Sequence, residues 1–194
     1  FKNKSSISYY DYASTSFYPT KILSCYGDGG AMFFKENYKK AFLLKNNGHN
    51  LKNKSSCLKI GMNSRLDTMQ AYILLKQINQ LKKIILTKQQ IFNFYRKLLA
   101  KNKIIKSSIN FNKNVKSNSY IFPIFIKKNY RSKFLNSMRK KGIECKLFYT
   151  KLLPANKLLK PIVKTDLTNA KKCSQQLVCL PSHENLEKND VFSL

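Results

Sequence analysis

Lys21 is the residue best placed to do chemistry. It ends the run Ser16-Phe17-Tyr18-Pro19-Thr20-Lys21, and a glycine-rich bend, Tyr26-Gly27-Asp28-Gly29-Gly30, lies just beyond it. A lysine between a proline turn and such a bend can be held in a cleft, where desolvation or a neighbouring cation favours the neutral amine. The neutral amine is the form that attacks a carbonyl carbon to make a Schiff base. Ser16, five residues earlier, can set a hydroxyl against a phosphate. Most lysines in so basic a chain are only surface charges, so the residue types alone leave both readings open. Gly27, Gly29 and Gly30 read as turn formers, because neither a G-x-G-x-x-G nor a Walker pattern is present.

The elements that would position these groups follow from the pattern. Residues 5–34 read as short strands joined by tight turns. A short helix is predicted around Lys35 to Leu44, stopped by Asn46-Asn47-Gly48. Ser64, three residues before Asp67, resembles a capping box. From there Leu66, Met69, Ile73, Leu74, Ile78, Leu81 and Ile85 recur at three- and four-residue spacing, which predicts one apolar helix face continuing with a bend towards Leu99. Segment 103–118 reads as a surface loop or short strand, Ser119 to Ile126 as a strand, and Tyr130 to Lys141 as a helix ended by Gly142. Ile143 to Tyr149 reads as another strand. Thr165 to Val178 reads as a last helix, stopped by Leu180-Pro181. The alternation after residue 118 suits a small α/β domain.

Composition sets the bounds. The chain has 194 residues, one domain's length or two small ones, and 43% are hydrophobic, enough for a core. The longest apolar runs, such as Ile121 to Ile126, fall far short of the roughly 18 residues that span a bilayer, so a membrane protein is not expected. Cys25, Cys57, Cys145, Cys173 and Cys179 form no C-x-x-C pair, and His49 and His183 are far apart. That pattern predicts neither a metal site nor a disulfide scaffold; reduced thiols in a cytosolic protein are expected. The net charge of +28 suggests a nucleic-acid binder, but only Arg65, Arg96, Arg131 and Arg139 are arginines. The lysines spread along the whole chain beside many Asn, Ile, Phe and Tyr, residues that share A/T-rich codons. Coding bias with solvated lysine faces is the reading preferred here. The opening at Phe1, without Met or an apolar leader, suggests a start truncated by processing or by incomplete sequence.

Two blocks carry a family resemblance. Ser16 to Lys21 followed by Cys25 to Phe33 (SFYPTK, then CYGDGGAMF) resembles the cofactor-lysine segment of the DegT/DnrJ/EryC1/StrS family of pyridoxal-phosphate-dependent sugar aminotransferases. Gly61 to Leu74 (GMNSRLDTMQAYIL) resembles that family's G-x-N-S-R-L-D-x-x-Q-A segment. Weaker matches are Lys141-Gly142-Ile143 through Phe148-Tyr149, and Leu180-Pro181-Ser182-His183. The blocks keep the family's order and span nearly the whole chain.

The resemblance implies an α/β chain of fold type I. Residues 1–100 would be a remnant of the large cofactor-binding domain with its long connecting helix, and residues 101–194 the small C-terminal domain. It implies pyridoxal 5'-phosphate as cofactor, linked covalently to Lys21, which would also move the proton during transamination. Ser16 would bind the cofactor phosphate. Asn63 would reach the phosphate from a partner subunit, implying a homodimer with shared active sites. Arg65 would meet an anionic group of a nucleotide-sugar substrate, and Tyr149 would lie on the substrate side. Glutamate would be the amino donor. The closest wording is to members that aminate C3 of a UDP-linked hexuronic acid, for polysaccharide synthesis. Read from the residues alone, Asn63 and Ser64 cap a helix, Arg65 pairs with a surface acid, Tyr149 belongs to a core and His183 packs.

The departures bear on the substrate pocket more than on the cofactor chemistry. Ile22 and Ser24 replace the Asn and Gly common after the lysine, Phe148 stands where His is common, and residues 150–154 lack P-x-P-L-H. The family's N-terminal portion, with the Asp that pairs with the pyridine nitrogen, has no match here. Little or no transaminase activity is therefore expected of these 194 residues alone. The rivals are a basic nucleic-acid-binding module, a degenerate non-catalytic relative, and a dehydratase variant; Lys21 argues against the last, since such relatives carry His there.

Overall fold

The computed structural model describes residues 2–50, 52–53, 55–107, 114–156, 158 and 167–192. The chain forms two compact units, residues 1–83 with 114–116, and residues 84–113 with 117–194.

The first unit begins with a 3-10 turn, Ser6–Tyr9, and then a hairpin of β1 (Tyr12–Ser16) and β2 (Gly30–Phe34). The strands are antiparallel, pairing Tyr12 with Phe34 and Ser16 with Gly30. The Tyr12 and Phe34 rings meet edge to face at 5.8 Å. Gly30 is small for a reason: a Cβ there would sit 2.8 Å from the Thr15 carbonyl oxygen. Helix α1 (Tyr38–Lys45) follows. It stops at Asn46-Asn47-Gly48, where Asn47 and Gly48 take positive φ of 59° and 71°. The chain then turns back along itself. Asn46 bridges to Asn63, His49 bridges to Cys57, and the Asn47 and Leu58 amides donate to Met62 and Gly48 carbonyls at 3.1 and 2.9 Å.

Helix α2 (Thr68–Ile78) starts at Asp67, not at Ser64. The Ser64 amide donates instead to the Lys45 carbonyl, so that residue belongs to the paired segment and the expected capping box is absent. The long helix read from the apolar spacing is two helices, α2 and α3 (Leu81–Leu99), separated at Asn79-Gln80. Its predicted apolar face is only partly covered: Leu74 is buried, while Met69 is 78% exposed.

The second unit holds the main core. A three-stranded antiparallel sheet is ordered β3 (Ile105–Ser107), β4 (Phe122–Ile126), β5 (Leu177–Leu180). Along β4 burial alternates with the two-residue period of a strand: Phe122, Ile124 and Ile126 are buried. Pro123, which has no amide hydrogen, faces Cys179 of β5. Ile91, Phe92 and Tyr95 of α3 cover this face. The Tyr95 ring stacks on Phe122 at 4.8 Å, and Phe92 meets it edge to face at 4.9 Å. Each such fully buried side chain contributes roughly 1.5–3 kcal/mol.

Helix α4 (Lys128–Lys140) adds Met138 to the core and ends in a Schellman turn. The Gly142 amide donates to Arg139 and the Ile143 amide to Met138, with Gly142 at φ +73°. Helices α5 (Thr168–Gln176) and α6 (Lys188–Phe192) complete the unit, with a 3-10 turn at Leu153–Ala155.

Two expectations fail here. Residues 143–149 are not a strand: Lys146 makes a single bridge, to Cys179, and the rest is irregular. The last helix does not reach Val178. It ends at Gln176, and Leu177 to Leu180 pair with β4 instead, because this apolar stretch buries Val178, Cys179 and Leu180 by completing the sheet. Residues 165 and 166 of that expected helix lie outside the described residues.

Candidate active site

Ser16 closes β1, and the chain from Phe17 to Gly29 forms a knot of hydrogen bonds around a buried thiol. The Phe17 amide donates to the Gly29 carbonyl at 2.8 Å, and the Cys25 amide to the Phe17 carbonyl at 2.7 Å. Cys25 is wholly buried, and its thiol reaches the carbonyls of Phe17 and Gly27 at 3.1 and 3.2 Å. A Cβ on Gly29 would lie 2.6 Å from that sulfur, so the glycine is required by packing. The glycines expected as turn formers are thus held by packing: Gly29 lies against Cys25 and Gly30 opens β2.

Lys21 lies on this turn. Its amide donates to the Tyr18 carbonyl at 2.8 Å, and the residue is half-buried. Ser16 Oγ accepts the Tyr18 amide at 3.2 Å, which leaves its own hydroxyl proton to donate elsewhere. Two side chains of α2 brace the turn from below. Gln70 Oε1 accepts the Tyr26 amide at 2.7 Å, and Gln77 Oε1 accepts the Ser24 amide at 3.1 Å. The motif reading did not assign these glutamines. Their signal was the seven-residue spacing, which puts both on one helix face.

Asn63 and Arg65 lie on the segment paired with the end of α1. Arg65 Nε donates to Asn63 Oδ1 at 3.1 Å. Neither alternative from the residues alone holds: Asn63 caps no helix, since Asp67 occupies that position, and Arg65 donates to the Asn63 amide oxygen, not to an acid. Beside Arg65 opens a cleft of about 900 Å³, walled by Thr15, Phe34, Tyr38, Phe42 and Lys45 among others. Arg65 lines it; Ser16, Lys21 and Asn63 do not. The structure thus places Ser16 with Lys21 on one turn and Asn63 with Arg65 on one segment.

Tyr149 belongs to the second unit. It is 76% exposed, with its ring edge against Phe148 at 5.7 Å, so it is not a core residue. His183 is exposed as well, contrary to the packing role expected for it. Two buried polar groups of α3 reach the backbone just before His183. Lys88 Nζ donates to the Ser182 carbonyl, and Tyr95 OH to the Pro181 carbonyl at 2.8 Å. Burial pulls the Lys88 amine below its ordinary range against the opposing pull of Glu184 and Tyr120, and burial pushes the Tyr95 phenol up. Among the described residues no cluster of three or more His, Cys, Asp or Glu could hold a metal, and no helix is long and apolar enough to cross a membrane.

The donors on the Lys21 turn fit part of a pyridoxal phosphate site: a primary amine suits its aldehyde carbon, and the available Ser16 hydroxyl proton suits a phosphate oxygen.

The UDP-2-acetamido-2-deoxy-3-oxo-D-glucuronate aminotransferase of Pseudomonas aeruginosa is 30% identical over 194 residues, which cover 98% of this chain and 52% of that protein. A DegT/DnrJ/EryC1/StrS aminotransferase from Brucella abortus, of known crystal structure, superposes with a TM-score of 0.84 at 27% identity, covering 93% of this chain and 48% of that one. NtdA of Bacillus subtilis, solved with bound cofactor PMP, shares the fold at a TM-score of 0.84 and 22% identity, over 97% of this chain and 45% of that one. The chain spans about half the length of the curated relatives it matches. Its fold is the fold type I architecture of these proteins, in the part it covers. The family model for DegT/DnrJ/EryC1/StrS aminotransferases matches residues 1–193, and the chain belongs to that family.

Proposed function

We propose that this chain is part of a pyridoxal-phosphate-dependent aminotransferase that converts a nucleotide-linked keto sugar to an amino sugar. The observation that carries this reading is the place of Lys21: a half-buried amine in the family's lysine segment, on a turn braced by Gln70 and Gln77. In the same reading residues 1–100 belong to the large cofactor-binding domain and residues 101–194 to the small C-terminal domain.

Bound pyridoxal phosphate supplies the electron sink that stabilises negative charge on the substrate carbon. The chain's residues supply placement and proton transfer. Lys21 Nζ holds the cofactor and, once released, takes and returns the proton of the carbon that bears the nitrogen. The turn hydrogen bonds at Phe17, Tyr18 and Cys25 keep the lysine backbone in one place while its side chain swings. Ser16 donates its hydroxyl proton to the phosphate. Asn63, with its carbonyl oxygen engaged by Arg65, offers its amide NH₂ to a phosphate in the partner subunit of a homodimer. Arg65 keeps its terminal guanidinium nitrogens for an anionic group of the sugar, in the cleft it lines. Tyr149 contacts substrate through its exposed ring.

A relative that is a UDP-2-acetamido-2-deoxy-3-oxo-D-glucuronate aminotransferase, at 30% identity, is the reason to propose a UDP-linked 3-keto hexuronic acid as substrate; glutamate as donor and cytoplasmic synthesis of a polysaccharide precursor are parts of the same proposal. Borohydride reduction of the protein with pyridoxal phosphate, followed by peptide mapping, tests the reading. A pyridoxyl group is expected on Lys21 and is expected to vanish in Lys21→Ala. Pyridoxyl groups scattered evenly over the surface lysines would overturn it.

A further inference from the structure

A second reactive pair lies away from Lys21. His49 and Cys57 face each other across the antiparallel bridge between the strand-like segments that follow α1, with Cys57 Sγ 3.4 Å from His49 Nδ1. Backbone bonds hold the pair on both sides: Leu58 N–H to the Gly48 carbonyl at 2.9 Å, and Asn50 N–H to the Ser56 carbonyl at 2.8 Å. The thiol is exposed and the imidazole half-buried, so a base is fixed beside a nucleophile that small molecules can reach.

The other thiols are placed differently. Cys25 is wholly buried and donates to two carbonyls, and Cys179 is 3% exposed. Cys145 is pushed up to about 11 by burial, with Cys179 and Glu144 adding to the shift. Cys173 is exposed on α5 and serves as an internal standard. Charge adds a further distinction. Between Glu36 and Asp67 no acidic residue occurs, while Lys39, Lys40, Lys45, Lys52, Lys54, Lys59 and Arg65 do. A segment so basic attracts anions.

We propose that Cys57 is a thiol–disulfide exchange site for small anionic disulfides, with His49 as its base. The Cys57 proton passes to His49 Nδ1, and the thiolate attacks one sulfur of the disulfide. A mixed disulfide forms at Cys57 as the original S–S bond breaks, and the departing thiolate takes the proton back from His49. One disulfide and one thiol are consumed and one of each is produced, so no further oxidant is needed.

Glutathione disulfide is the probe, with hydroxyethyl disulfide as its uncharged counterpart, and modification is followed by peptide mass mapping. In the unmodified protein, Cys57 is expected to take up glutathione about tenfold faster than Cys173 or more, a modest share of what a positioned base contributes. The advantage should shrink with the uncharged disulfide and with added salt. His49→Gln should bring the Cys57 rate down to that of Cys173 while leaving the Cys173 rate unchanged. Equal rates at the two cysteines in the unmodified protein would overturn the proposal without any variant, and so would a fast Cys57 in His49→Gln.

Discussion

The Arg65 guanidinium is held by its nearest side-chain neighbour in sequence but one: Nε donates to Asn63 Oδ1 at 3.1 Å, on a segment whose backbone is tied to the end of α1. One hydrogen bond therefore sets the direction of both functional ends. The arginine keeps its forked terminus and the asparagine keeps its NH₂ group.

If Arg65 meets an anionic group of the substrate, Arg65→Ala should lower kcat/KM about tenfold or more, since hydrogen bonds to charged groups contribute roughly 1.5–3 kcal/mol. Asn63→Ala should lower it by less. The double variant should cost clearly less than the sum of the two free energies, because each residue acts through the other. Steady-state kinetics on the four forms of the longer enzyme of which this chain is proposed to be part reads this, and strict additivity would refute the coupling.

The glutamine braces give a second test. Gln70→Leu removes the acceptor of the Tyr26 amide, and Gln77→Leu that of the Ser24 amide. Each variant should lose about 1 kcal/mol of stability in urea titration. Each should also slow the labelling of Lys21 by pyridoxal phosphate without slowing the labelling of Lys82 on α3. A uniform change at both lysines would mean that the braces do not act on the Lys21 turn.

Two glycines with positive φ should respond very differently. In Gly142→Ala the new methyl meets nothing within 4 Å, so only the backbone conformation is penalised, by about 1–2 kcal/mol. In Gly48→Ala it would lie 1.7 Å from the Lys59 carbonyl oxygen, so the paired segment must move. A loss well above about 3 kcal/mol is expected there, together with loss of the fast phase of Cys57 exchange. Similar melting temperatures for the two variants would contradict this.

Burial holds the Lys88 amine below its ordinary value of 10.5, so the folded chain gives up that proton at a lower pH than the unfolded chain does. Between the lowered value and 10.5 the unfolded state binds more protons, and stability must rise with pH across that window. Relative to Lys88→Met, the unmodified protein should therefore gain stability as pH increases from 8 towards about 10. Urea denaturation of both proteins at several pH values measures the difference. A difference that stays constant or reverses would show that Lys88 is not desolvated.

Much of the fold was legible from local signals. The Gly142 turn shows itself by a glycine after an amphipathic helix, and β4 by its apolar run between polar segments. Other parts were set by distant partners. The stretch from Leu177 to Leu180 continues the helical spacing of α5, yet it pairs with Phe122 to Phe125, more than fifty residues away. Residues 143–149 resemble a strand in composition, but only Lys146 finds a neighbour. At the site, Lys21 and Arg65 stood out by motif. The carboxamides of Gln70 and Gln77 did not, because a polar side chain on a helix does not reveal that it accepts from a loop 44 or 53 residues earlier.

The seven-residue step between Gln70 and Gln77 ties the Lys21 loop to the rotational phase of α2. Removing a single residue between them would swing the second carboxamide about 100° around the helix axis, away from the Ser24 amide. The helix thus works as a two-point gauge, and its length between those points tolerates no slip of one residue.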